Sequence, residues 1–241
     1  MIEQLNRVRR RGAKAERTRA TILAAAEQAF AEKGYAAARL EDVAMRVGIR
    51  RASLVYYFRD KRALYEAVLG AVLGELLERY RAVLGDDVPL TARLAGLVHA
   101  WVSFVGERPS LARLLLWEVA EASTSSLGAR FIEPVLATLT ATIVDGQRQG
   151  VFRRIEPTHV IFALTGATIF FITATPALTP GVQSSALDRR RLKEFGDEMV
   201  SFARRLLESD AAEQARDGRC QNRDATAEHV VRQTPERTAH G

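Results

Sequence analysis

The sequence predicts an all-α chain in two parts, a small N-terminal head and a larger helical body. Three observations carry that reading. Apolar residues recur at helical spacing along most of the chain, and no stretch shows the strict alternation of a half-buried strand. Glycine and proline fall between the periodic segments, where helices stop and start. Charge is lopsided: residues 1–62 hold fifteen Lys/Arg against seven Asp/Glu, a local +8, so the other 179 residues sum to −2 within the total of +6. A basic head on a near-neutral body follows.

The head is justified element by element. Residues 1–15 read as a basic flexible arm with Arg7, Arg9, Arg10, Arg11 and Lys14. A first helix is expected from about Glu16 to Lys33, with Ile22, Ala25, Ala26, Ala29 and Phe30 in one stripe and Gly34 ending it. A short second helix spans about Leu40–Val47, with Leu40, Val43, Ala44 and Val47 on one face. Gly48-Ile49 makes a tight turn. A third helix covers about Arg51–Tyr57 and turns Leu54 and Phe58 inward. Residues 16–62 form this unit.

Residues 63–208 form the body. Asp60 can cap a long helix from Lys61 whose stripe is Leu64, Val68, Leu69, Val72 and Leu76. Pro89 opens a helix to about Glu107 and Pro109 another to Ala120. Ser123–Ser126 is a loop, and a helix covers about Gly128–Gln149, closed by Gly150. Pro157 starts an apolar helix ending near Pro176, Thr179-Pro180-Gly181 is a turn, and a last helix covers about Ala186–Glu208. Residues 209–241 have almost no large apolar side chains and are expected to be disordered.

Composition removes several classes. A single cysteine, Cys220, precludes an intrachain disulfide framework or a cysteine-rich zinc site and fits a reducing cytoplasm. The charged N-terminus has no apolar signal core. Val160–Ala177, the most apolar stretch, contains four threonines, a glycine and a proline, and falls short of the roughly 20 apolar residues of a membrane span. No phosphate-cradling glycine loop, nucleophile elbow or His-Glu zinc motif is present. His99 and His159 lack a neighbouring carboxylate or second histidine at metal-ligand spacing. Glu118 and Glu121 have the spacing of a solvated face. No catalytic residue, metal or cofactor is expected.

Three short helices, a glycine turn and a basic surface meet the geometric need of a helix-turn-helix. The second helix braces across the DNA backbone and the third enters the major groove. Gly48 suits the turn because it adopts positive φ without steric penalty. Gly34-Tyr35, Leu40-Glu41-Asp42-Val43-Ala44, Val47-Gly48-Ile49, Ser53-Leu54, Tyr56-Tyr57-Phe58, Lys61 and Ala63-Leu64, in this order and spacing, resemble the head of a TetR-family regulator over about residues 16–70. The body resembles the family only in being helical and of the right length. The resemblance implies a homodimer on a palindromic operator, with a small ligand in the body shifting the spacing of the heads. It places Arg51, Ala52, Ser53 and Tyr56 at bases or nearby phosphates, and Tyr57 and Lys61 at phosphates. The family commonly has threonine at Ala38 and serine at Arg50, both helix caps, and a tyrosine at Val55.

Chemistry gives the same residues independent roles. Arg51 carries a planar fork that fits guanine O6 and N7 together. Ser53 can donate to or accept from a base or phosphate. Lys61, Arg39 and Arg50 offer positive charge to phosphate. The body aromatics His99, Trp101, Phe104, Trp117, Phe162 and Phe170 are either ordinary core or the lining of a cavity for a largely apolar small-molecule effector. The helices near 158–175 and 186–208 are expected to build a two-fold dimer interface, with Ala163, Gly166 and Ala167 permitting close approach. The function expected is that of a ligand-responsive transcriptional regulator, a repressor acting as a homodimer on double-stranded DNA. A constitutive or architectural DNA binder, or a helical enzyme, are the alternatives.

Overall fold

The computed structural model describes residues 1–85, 87–121, 129–178 and 189–208, without the side chains of 2–11, 121 and 177. These residues form α1 (Ile2–Ala37), α2 (Leu40–Val47), α3 (Arg51–Tyr57), α4 (Lys61–Val83), α5 (Leu90–Glu107), α6 (Pro109–Glu121), α7 (Ala129–Arg148), α8 (Pro157–Leu178) and α9 (Arg189–Leu207). Among them the sole strand-like feature is an isolated bridge between Phe152 and Glu208. The all-α class, with a helix-turn-helix head and a helical body, is therefore observed. The expected loop at Ser123–Ser126, the turn at residues 179–181 and the tail 209–241, with Cys220, lie outside the described residues.

The first helix differs from expectation at its start. It begins at Ile2 rather than Glu16, through the segment read as a flexible arm. Residues 2–15 contain no proline and are rich in Arg, Glu, Gln, Leu and Ala, whose intrinsic preference continues a helix once the downstream turns have formed. Its last turn is broken at Gly34, at φ 74° and ψ 168°.

The core is continuous from head to body. In the head, Ile22, Ala26, Phe30, Leu54 and Phe58 are buried, and in α4 the stripe Leu64, Val68, Leu69, Val72 and Leu76 extends to Tyr80. Truncating a fully buried leucine of this stripe, such as Leu69→Ala, costs about 2–5 kcal/mol. α1 packs on α2, α4 and α6, so head and body share a seam along α1. α5 lies against α9, and α8 touches α5, α6, α7 and α9. Pro134 lies inside α7 and Pro176 inside the last turn of α8, so Pro176 does not end that helix. α8 is 22 residues long. The expectation that this stretch is too short for a membrane is thereby corrected: Pro157–Pro176 has the length and apolarity to cross a bilayer, though it packs on other helices here.

Candidate nucleic-acid interface and body cavity

The turn between α2 and α3 is built by local chemistry. Gly48 sits at φ 74° and ψ 31°, the left-handed region. Its N–H donates to Met45 O at 3.2 Å, and Ile49 N–H donates to Ala44 O at 3.0 Å. This pair of bonds is a Schellman motif, which satisfies helix-end carbonyls and reverses the chain. Ile49 packs on the core beneath, as that motif's apolar contact requires.

The start of α2 departs from expectation. Ala38 is buried and extended and is not the cap; Arg39 is. The Asp42 carboxylate accepts from Arg39 N–H at 3.2 Å and from Lys33 Nζ at 2.8 Å. This half of a capping box offsets the missing threonine. The Lys33 ammonium, through that hydrogen bond, holds the Asp42 carboxyl below its ordinary value, with the Arg39 N–H adding to the effect. At α3 no side chain caps the helix, and Ser53 N–H and Leu54 N–H bond the Arg50 carbonyl.

α3 buries Leu54, half-buries Tyr57 against the core and presents its other residues outward. Arg39, Arg50, Arg51, Ala52, Ser53 and Tyr56 are exposed, and Tyr57 is half-buried. Tyr56, at 85% exposure, touches the Tyr57 ring edge-to-face at 5.5 Å. Arg51 Nε lies 3.0 Å from Glu41 Oε1, both side chains more than half exposed. A pair of this kind contributes about 0–1 kcal/mol, so a polyanion can readily take Arg51 from it. Arg39 and Arg50 form no ion pair among the described residues.

Lys61 is placed differently from its neighbours. Its ammonium turns inward and donates to Ala36 O at 2.9 Å and Ala38 O at 3.2 Å, 4.7 Å from the centre of the Tyr35 ring. It closes the carbonyl end of α1 from the first turn of α4. Its partners are 23 and 25 residues away in sequence, which is why the motif alone read it as a free charge. Asp60 does cap α4, accepting from Ala63 N–H at 2.7 Å.

In the body, α4, α5, α6, α7 and α8 line a partly open cavity of about 520 Å³. Of the six aromatic candidates it brings together Trp101, Phe162 and Phe170. Phe162 and Phe170 are more than 60% exposed and stand at its rim. The other three are elsewhere. Phe104 is buried beneath the guanidinium groups of Arg79 and Arg108, at 4.7 and 5.3 Å. Trp117 lies against Gly34, within 3.1 Å of where a Cβ would stand. His99 meets Asp197 on α9 at 3.3 Å, a carboxylate that sequence spacing did not reveal.

Sequence reasoning missed Leu73, Tyr80, Leu115 and Leu136, which also line the cavity. Extending the α4 stripe one turn past Leu76 reaches Tyr80. α6 divides its two faces between cavity and head. Leu115, Leu116 and Val119 face the cavity. Ser110 Oγ donates to the buried Glu27 carboxylate on α1, Trp117 meets Gly34, and Glu118 accepts from Tyr65 O–H at 2.5 Å. Tyr65 belongs to α4, so Glu118 itself is half-buried in a contact within the body.

A recognition helix standing clear of a Schellman turn, mounted on a helical body with an apolar cavity, defines a helix-turn-helix transcription regulator. Residues 22–68 match the family described as bacterial regulatory proteins, tetR family, and residues 91–202 match the tetracyclin repressor-like C-terminal domain. The chain belongs to the TetR family. It is 27% identical over 157 residues to the HTH-type transcriptional regulator RutR of Escherichia coli, covering 64% of this chain and 74% of that one. It is 27% identical over 165 residues to the HTH-type transcriptional repressor SCO4008 of Streptomyces coelicolor, covering 68% and 82%. A solved tetR-family regulatory protein from Rhodococcus RHA1 superposes with a TM-score of 0.64 at 21% identity, covering 80% of this chain and 98% of that one.

Proposed function

We propose that this DNA-binding transcriptional regulator is a ligand-responsive repressor that binds a palindromic operator as a homodimer in the cytoplasm. The observation that carries the sensing part is the cavity. It is lined by five helices, its walls are largely apolar, and its volume of about 520 Å³ lies within the roughly 300–1,000 Å³ of small-molecule sites. The SCO4008 relative is named a repressor, which supports that direction of control.

In this reading Arg51, Ala52, Ser53 and Tyr56 face base edges and nearby phosphates, and Arg39, Arg50 and Tyr57 contact phosphates. Lys61 contributes by holding α4 against α1. The dimer is built by α8 and α9. Only 28% of the apolar span of α8 is buried within the protomer, leaving Phe162, Gly166 and Phe170 in an exposed row. The space beside Gly166 is open, so a partner helix can approach closely. Phe202 of α9 and Leu178 of α8 add exposed apolar area.

Two recognition helices about 34–36 Å apart would read successive major grooves. A guest that binds one head spacing better than another shifts the population, with a coupling of about 1–3 kcal/mol. α6 supplies the route, because its faces touch the cavity and α1. Selection of operators from random DNA, repeated with a metabolite panel, tests the proposal. A palindromic consensus released by at least one metabolite is expected. A non-palindromic product, or ultracentrifugation showing a monomer at micromolar concentration, would refute the dimer, and release by no metabolite would favour a constitutive binder.

A further inference from the structure

Positive charge in the head is unevenly placed and unevenly spent. Residues 1–20 hold seven Lys/Arg against two Glu, whereas residues 21–62 hold eight Lys/Arg against five Asp/Glu. In the second group most cations are engaged. Lys33, Arg46, Arg51, Arg59 and Arg62 form ion pairs with Asp42, Glu32, Glu41, Asp60 and Glu66. Each pair brings a carboxylate to the same patch, where it repels a phosphate. Lys61 turns inward. Only Arg39 and Arg50 remain uncommitted among the described residues of that group. In the first group Lys14 and Arg17 are exposed, and neither forms an ion pair among the described residues.

This first group lies on an overhang of α1. No side chain from residue 12 to residue 21 is buried, and burial begins at Ile22. The Arg19 guanidinium sits 5.3 Å from the centre of the Phe58 ring, and Phe58 is the residue that ends α3. α1 therefore passes the end of the recognition helix at Arg19 and continues roughly 26 Å further to Ile2, at about 1.5 Å per residue. In the sequence Arg7, Arg10, Arg11, Lys14 and Arg17 recur at spacings of three and four, and like charges so spaced destabilise a helix. A polar helix that packs on nothing and repels itself needs an outside partner. Charge makes that partner a polyanion. Residues 9–21 include no Leu, Ile, Val, Phe or Trp, so the overhang lacks the apolar face with which a helix enters a membrane surface. DNA held by α3 is a polyanion beside Arg19.

We propose that the overhang of α1, residues 2–19, is a second DNA-binding element that lies on the sugar-phosphate backbone beyond the phosphates met by α2 and α3. Phosphate neutralises the repulsion among its cations, so DNA stabilises the helix that binds it. The overhang supplies most of the salt-dependent affinity of the head and no base readout, whereas α3 supplies base preference. This goes beyond the contacts assigned to α2 and α3 above, and it requires neither the dimer nor an effector.

The test uses the full chain, a fluorescent duplex of arbitrary sequence and about 40 base pairs, and anisotropy titrations between about 50 and 200 mM salt. One variant combines Arg10→Gln, Arg11→Gln and Lys14→Gln, since glutamine keeps the helix preference of the residues it replaces. A second removes the same charge from exposed positions of the body, through Arg148→Gln, Arg154→Gln and Arg190→Gln. The overhang variant should flatten the slope of log K against log salt by about 2.7 for each bound head, so that its loss of affinity across that range is about fortyfold smaller than that of the natural chain. The body variant should keep the natural slope, and both should keep the natural Tm. The consensus selected from random DNA should be the same for the overhang variant as for the natural chain. An unchanged slope in the overhang variant, or equal flattening in both variants, overturns the proposal. A changed consensus overturns the division between backbone and base contacts. Phosphatidylglycerol vesicles that bind the natural chain and release the overhang variant, with the DNA slope unaltered, would assign the overhang to a lipid surface and likewise overturn it.

Discussion

Lys61→Met separates two roles that a lysine at this position can have. Methionine keeps the apolar stem and removes the ammonium. Two N–H···O bonds from a charged donor, to Ala36 O and Ala38 O, are lost with the contact to the Tyr35 ring. Bonds of this type are worth about 1.5–3 kcal/mol each when shielded, and an exposed cation–π contact about 0.5–1 kcal/mol. Lys61 is only half-buried and its ammonium stays partly solvated, so we place the loss near 2 kcal/mol. For a folded unit of this size that lowers Tm by about 4–8 °C. The assay is thermal unfolding followed by circular dichroism, paired with operator binding over a series of salt concentrations. The salt slope should be unchanged. A direct phosphate contact in each half-site would instead flatten it by about 1.8. A variant with unaltered Tm and a flattened slope would show that the ammonium serves DNA and not the α1–α4 junction.

Three other outcomes follow from the head. Gly34→Ala places a Cβ at φ 74°, ψ 168° and 3.1 Å from the Trp117 ring, so it should destabilise by about 1–3 kcal/mol in chemical denaturation; a neutral result would mean that the chain relaxes there at no cost. Arg51→Ala should relax base preference at one position per half-site, costing about 1–3 kcal/mol in competition binding, and a variant with an unchanged consensus would remove Arg51 from base readout. The carboxyl of Asp42 is held below its ordinary value in the folded state, first by Lys33. Its stabilising effect is therefore complete above the ordinary carboxylate range near 4 and is lost as pH falls through the depressed value. Asp42→Asn should lower Tm at pH 7, and the gap to the natural chain should close on acidification toward pH 3; a gap that persists there would assign the effect to packing.

The parts of the molecule governed by neighbours in sequence were legible without coordinates. α2, α3 and the start of α4 fall where the apolar stripes, Gly48 and Asp60 put them, because a Schellman turn and an N-cap are made within six residues. The arm was misread because its polarity masked its helix propensity. What sequence could not supply were partners far along the chain. Lys61 meets carbonyls of α1, His99 meets Asp197, and Glu118 meets Tyr65. The cavity was legible only as a class of residue. Aromatic identity pointed to Trp101, Phe162 and Phe170, which line it, but gave Phe104 and Trp117 the same standing, although one is packed under two arginines and the other against the head. A void depends on how helices cross, and no local pattern records that.

The two-faced α6 bears on how such a protein can be recombined. Its Ser110 and Trp117 are fitted to Glu27 and Gly34, so the boundary of the head runs through a helix of the body rather than through a linker. A chimera joined at residue 62 would carry this head onto a foreign α6 and leave the Glu27 carboxylate buried without its hydroxyl. One that transplants those two outward positions along with the head would keep the joint intact. The unit that can be exchanged between regulators is thus larger than the DNA-binding segment itself, and it is discontinuous in the gene.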